Sequence, residues 1–121
     1  MALTKAVTAI WSGQTLTAGA GDTTSSAVTV DDSYENGLSV KLTNGATGPT
    51  IAAQVQIEVS QDNTEWYEFG GPMVGGTVNS GVSSWGGIVI AIGVEYVRLV
   101  AGSNTAQDVT VEADITEVTG L

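Results

Sequence analysis

The chain has 121 residues, 42% of them hydrophobic, with no cysteine, no histidine and a net charge of −10 from thirteen acids against three bases. That length fits one domain around one core, and the missing cysteine excludes disulfides, thiolate chemistry and zinc–thiolate sites. Lys5, Lys41 and Arg98 are too few and too scattered to neutralise a phosphate backbone or an anionic membrane surface, so neither nucleic acid nor membrane is an expected partner.

The opening stretch "MALTKAVTAIWSGQ" has no apolar core of about 7 to 15 residues and no cleavage site, so it does not read as a signal peptide. Residues 5–11 within it alternate and read as a strand, while residues 1–11 as a whole also suit an N-terminal arm. Turn chemistry in "AGAGD" (18–22) leads to a short strand at 27–30. "DDSYEN" (31–36) is the one place where a helical turn fits, capped by Asp31 or Asp32. Strands follow at 38–42 and 53–59, parted by "TNGATGP" (43–49). "SQDNT" (60–64) reads as the turn of a hairpin whose second strand is 65–69, and "FGGP" (69–72) with the glycines at 75–76 as a corner. Strands at 77–79, 88–92, 95–100 and 109–118 complete the series. Short runs with period-two alternation, in the absence of helical periodicity, imply a sandwich or a barrel in a single domain over 1–121.

Alternation also assigns faces. Val55, Ile57 and Val59 share one side of their strand, Val109, Val111, Ala113, Ile115 and Glu117 one side of theirs, and Arg98 turns Val97 and Leu99 inward. "GIVIAIG" (87–93) is apolar on both sides, as expected of a central strand covered on both faces or of a strand in a subunit contact.

Without histidine or cysteine, the commonest general base and the strongest nucleophile are missing. Glu65 with Glu68, or Asp31 with Asp32, are the remaining carboxylate pairs, and the first pair falls on opposite faces of its strand, so no enzymatic activity is expected. Asp62, Asn63, Asp31 and Asp32 offer oxygen ligands, yet EF-hand spacing is absent and they read as turn and cap residues. No metal or cofactor is expected, although a cation shared between subunits stays open. Trp66 reads as a core residue, and Trp85, in the loop-like "SSWGG", as an exposed anchor. Trp11 either anchors an arm to a neighbour or closes the core.

The run "LTNGATGPTIAAQVQIEVSQDNTEWYEFGG" (42–71) resembles small β-sandwich structural proteins of tailed-bacteriophage virions, and "SGQTLTAGAGDTTSSAVTV" (12–30) resembles the opening of the same kind of chain. A strand ending in serine, an Asp/Asn-Gly or similar turn, and Thr-x-Trp-Tyr recur there as a hairpin. Here they are Ser60, Asp62 and Asn63, Thr64, and Trp66 with Tyr67. Asn63 stands where glycine is usual, which leaves the turn type open. The resemblance runs to about residue 75, and its motifs are structural. It implies an all-β fold, an antiparallel β-sandwich of jelly-roll type, and the role of a capsid decoration, or cement, protein. Such a protein is made in the host cytoplasm and sits on the outer surface of the virion capsid. Its partner would be the major capsid protein, and the chain itself a homo-oligomer, a trimer or a dimer. The contact residues expected on this reading are Trp11, Met73, Val74 and Trp85. The alternative is a carbohydrate- or receptor-binding module of a phage tail or fibre.

Overall fold

The computed structural model describes residues 4–30, 35–90 and 93–120, and among them β-strands form two antiparallel sheets with no helix. In chain order they are β1 (Thr4–Leu16), β2 (Thr23–Thr24), β3 (Val28–Thr29), β4 (Glu35–Asn44), β5 (Gln54–Ser60), β6 (Tyr67–Glu68), β7 (Met73–Val74), β8 (Val82–Ile90), β9 (Tyr96–Gly102) and β10 (Val109–Gly120). The first sheet runs β1-β10-β4-β8. In the second, β9 and β5 are central, with β2 and β3 along the outer side of β9 and β6 and β7 along that of β5. The pairings nest outward from the β5–β6 hairpin: β4 with β8, β2 and β3 with β9, β1 with β10.

Period-two alternation decides what lies between the sheets. Leu38, Val40 and Leu42 of β4 and Val109, Val111, Ala113 and Ile115 of β10 point from the first sheet into one buried cluster with Val55, Ile57, Val97 and Leu99 of the second. The two sheets therefore make a β-sandwich, and burying each such leucine, isoleucine or valine contributes roughly 1.5–3 kcal/mol. Val59 packs against the same cluster while partly exposed, and Arg98 lies on the outer face, as the alternation predicts.

Several expectations change. The sequence predicts a strand at 77–79; the structure has a turn there, because the Asn44 side chain from β4 takes the carbonyls of Gly76 and Val78 that a ladder would have used. The strand predicted at 88–92 begins six residues earlier, at Val82, so Trp85 sits on β8 and not in a loop. β8 is an edge strand, which removes the central, doubly covered reading of 87–93; residues 91–92 themselves lie outside the described residues. Of the helical turn expected at 31–36, residues 31–34 lie outside the described residues, and Glu35 and Asn36 open β4. Residues 4–11 of the expected arm belong to β1 and pair along β10.

Candidate functional site

The 60–65 segment is the hairpin turn that the sequence predicts. Ser60 Oγ donates to Asp62 Oδ1 (3.1 Å) and accepts from the Asn63 N–H (3.0 Å), and Asp62 Oδ1 accepts from the Glu65 and Thr64 N–H groups at 2.9 Å each. Asn63 takes φ of 59°, the left-handed conformation that glycine adopts at such turns and that asparagine tolerates best among other residues. Its place in the motif is thereby explained. The backbone N–H groups of Glu65 and Thr64 hold the Asp62 carboxyl below its ordinary value of 3.8. A depressed folded-state pKa means that the turn gains its full support above the unfolded value and loses it as pH falls through the folded one. Amide protection at Thr64 and Glu65 is expected to hold down to about pH 4 and to drop on further acidification. Constant protection between about pH 5 and pH 2 would remove the capping role.

Beyond the hairpin, Trp66 is not a core residue. Its ring lies under Arg98, whose guanidinium carbon is 4.1 Å from the ring centroid, while Arg98 Nε donates to Glu58 Oε1 at 2.7 Å. Cross-strand placement of Glu58 beside Arg98 on adjacent strands makes the pair, and the tryptophan covers it. Next to it, the outer face of the second sheet holds a polar groove of about 380 Å³, lined by Gln54, Gln56, Glu58, Glu68, Val100 and Ser103 among others. Among the described residues, no group of three acidic, histidine or cysteine side chains is placed to hold a metal ion.

The most distinctive surface is one side of the sandwich. Residues 69–94 contain no ionisable side chain, in a protein of net charge −10. That run supplies β7, β8 and the 75–81 connection between them. β8 closes the first sheet on the side where β6 and β7 close the second, as the Asn44 bonds to Gly76 and Val78 show. The opposite side is tied separately, by Asn104 Nδ2 donating to the Leu16 carbonyl at 2.8 Å. Val74, Val78, Val82 and Val89 are all exposed along the uncharged flank, Val82 by 55% and Val89 by 57%; exposed Tyr67, beside Glu65 and Glu68, and exposed Val7 and Ile51 lie outside it. Single exposed apolar residues are ordinary, whereas several along one stretch without charge make a candidate contact surface.

This flank is held in place from within. The Asn44 side chain, 7% exposed, donates to the carbonyls of Gly76 (3.1 Å) and Val78 (2.9 Å). Its own N–H donates to Gly81 O (2.9 Å), Ser80 N–H to Gly45 O (2.7 Å), and Gly48 N–H to Asn79 Oδ1 (2.8 Å). The 75–81 connection is thus pinned onto the turn that follows β4.

Met73, Val74 and Trp85, three of the four contact residues expected from sequence, lie in this part of the chain, but of the three only Val74 is exposed. Met73 points into the core at 9% exposure and Val74, beside it on β7, points outward. Trp85 pairs with Val40 on β4 and is partly buried against the core. Trp11 lies at the far edge, on β1 opposite Ala113, with its partly buried ring against the core, the packing role of the two open to it. Sequence reasoning missed Val78 and Val82, and reached Val89 only through the subunit-contact reading of 87–93. The signal that finds them is the long run without charge, since alternation cannot separate an apolar strand buried on both faces from one whose outer face awaits a partner.

No family model matches this sequence, and no curated protein matches it. Solved structures do resemble it in fold. One is a chain of infectious bursal disease virus, Gx strain, with TM-score 0.59 and 9% identity, covering 98% of this chain and 33% of that one. This chain therefore spans about a third of the viral chain. The SPBc2 prophage-derived protein YomS has TM-score 0.57 and 15% identity over 97% of this chain and 96% of its own. A Bacillus endospore appendage protein, from a family of disulfide-linked pili, has TM-score 0.50 and 14% identity over 98% and 91%. At these identities the likeness is one of fold. Among the described residues, no helix is long and apolar enough to cross a membrane.

Proposed function

We propose that this chain is a non-enzymatic virion structural protein, a capsid decoration protein that binds the outside of a phage head and stabilises contacts between major capsid subunits. The observation that carries the proposal is the uncharged apolar flank on an otherwise strongly acidic sandwich. Such a body adheres along one side and presents negative charge elsewhere, an arrangement suited to the outer surface of a shell and unsuited to packaged DNA. The strand order supports the jelly-roll form. With β2 and β3 taken as one interrupted strand and β6 and β7 as another, the nested pairings are those of a long hairpin rolled into two sheets. Likeness in fold to a viral chain and to a prophage-derived protein supports the same reading. Homo-oligomerisation, as a dimer or trimer, would let modest contacts to several capsid subunits add through effective concentration.

Adding the purified protein to heads that lack it tests the proposal. It is expected to saturate them at a fixed stoichiometry and to raise their melting temperature. Because the flank carries no charge, affinity should change little with salt. Heads that neither bind the protein nor gain stability would sink the reading, and a steep salt dependence would move the contact off this flank.

A second reading, a carbohydrate- or receptor-binding module of a tail or fibre, draws on the polar groove of the second sheet and the neighbouring Trp66. Its mark is a saturable change in tryptophan fluorescence on titrating host polysaccharide, lost in Gln54→Ala.

A further inference from the structure

The edges of the two sheets are not equally protected. β2 and β3 are two residues each, as are β6 and β7, which flank a corner containing Pro72. β1 carries Lys5 and three register shifts against β10. Short strands, prolines, charges and bulges are the usual means of keeping an edge from pairing with another chain. β8 has a long run, Val82–Ile90, without charge or proline, and a single irregularity at Gly86 and Gly87.

We propose that β8 pairs with β8 of a second copy, antiparallel across a two-fold axis, joining the two first sheets into one continuous sheet. This rests on the assembly part of the reading above and not on the capsid. Charge selects the occupant's approach: two bodies of net charge −10 meet with least repulsion along strips that hold no charge, and β8 is such a strip.

The irregularity in β8 sets the register. Leu38 pairs with Ile88 and Val40 with Trp85, so Ser39 faces both Gly86 and Gly87, the latter at φ of 66°. The extra residue puts Val82 and Val89 on the same outer face although they are an odd number of positions apart. In the same way Ser83 and Ile88, beside the buried Leu42 and Leu38, share the inner face. One antiparallel register then sets Val82 opposite the second copy's Val89 and Ser83 opposite its Ile88, each pair occurring twice. With the bulge counted as one position, the axis falls at Trp85 and each Gly86–Gly87 bulge lies opposite Ser84 of the second copy, where the lack of side chains lets the backbones approach.

Light scattering with mass determination on the full chain tests this. Wild type is expected to be a dimer. Val82→Lys with Val89→Lys sets like charges opposite each other in both pairs and should weaken the dimer about tenfold or more. Val82→Lys with Val89→Glu sets opposite charges there and should restore it. Both positions are exposed, so melting curves of the variants should stay near that of wild type. Since the chain has no native cysteine, oxidation of the double variant Val82→Cys with Val89→Cys should give a covalent dimer that neither single variant gives. A monomeric wild type, or a dimer equally tight in both charge variants, overturns the pairing. A wild-type monomer that still saturates capsids removes the pairing and leaves the decoration reading standing; a β8-linked dimer that ignores capsids does the reverse.

Discussion

Replacing Gly48 by alanine is expected to destabilise the fold by about 3 kcal/mol or more, although it adds a single methyl group. A Cβ at Gly48 would lie 2.1 Å from the Thr77 carbonyl oxygen, 2.7 Å from the Thr77 carbonyl carbon and 2.9 Å from that of Val78. These are backbone atoms, which cannot swing aside as the end of a side chain can. Relief requires parting the turn after β4 from the 75–81 connection, which breaks the bonds from Gly48 N–H to Asn79 and from Ser80 N–H to Gly45. The thermal midpoint is expected to fall by about 10–20 °C, with Gly45→Ala as the control. The nearest atom to a Cβ at Gly45 is the Thr47 carbonyl oxygen at 4.0 Å, so that variant should melt close to wild type. A Gly48→Ala midpoint equally close to wild type would mean that the two segments are not locked together.

Asn44→Ala is expected to cost about 2–3 kcal/mol, because it strips the Gly76 carbonyl of its side-chain donor and leaves the Val78 carbonyl with the Gly81 N–H alone. The loss should also reach function, since those carbonyls hold the connection that presents Val78 and leads into β8. Leu99→Ala is a fitting comparison: it removes a fully buried core side chain at similar cost but leaves the flank's bonds intact. Urea midpoints should fall comparably in the two variants, while affinity for capsids should fall clearly more in Asn44→Ala. Equal affinities at equal stability would show that the flank's local order does not matter to binding.

What the sequence reveals and hides follows from the same physics. β4, β5, β9 and β10 are legible because each has one buried face, which forces strict alternation, and the outward Arg98 identifies Val97 and Leu99 as core. The hairpin at 60–65 is legible because its serine, aspartate and asparagine bond within the turn itself. The full extent of β8 is hidden, since the bulge at Gly86 and Gly87 shifts the alternation midway and makes Trp85 look like a loop residue. β2 and β7, at two residues each, are too short to show a period. Trp66 is misjudged because the cation that covers it comes from β9, a partner that no local pattern discloses. The candidate site is half legible for a related reason. Val74 stands out as apolar beside a corner, whereas Val82 and Val89 gain meaning only once β8 is known to be an edge.

The pairing of β1 with β10, which sets Thr8 beside Ile115, bears on how the protein comes into being. β1 leaves the ribosome long before the strand that lies next to it in the sheet has been made. β4 waits as well, because β10 is inserted between them. Until Val109 and the residues after it emerge, the nascent chain holds two long strands with open hydrogen-bonding edges and an uncovered apolar face. Closure of the first sheet therefore waits for β10 and is dominated by distant contacts, the class that folds slowly and is exposed to aggregation on the way. Chains cut short before β10 should accumulate in inclusion bodies or on chaperones, however sound their remaining sequence.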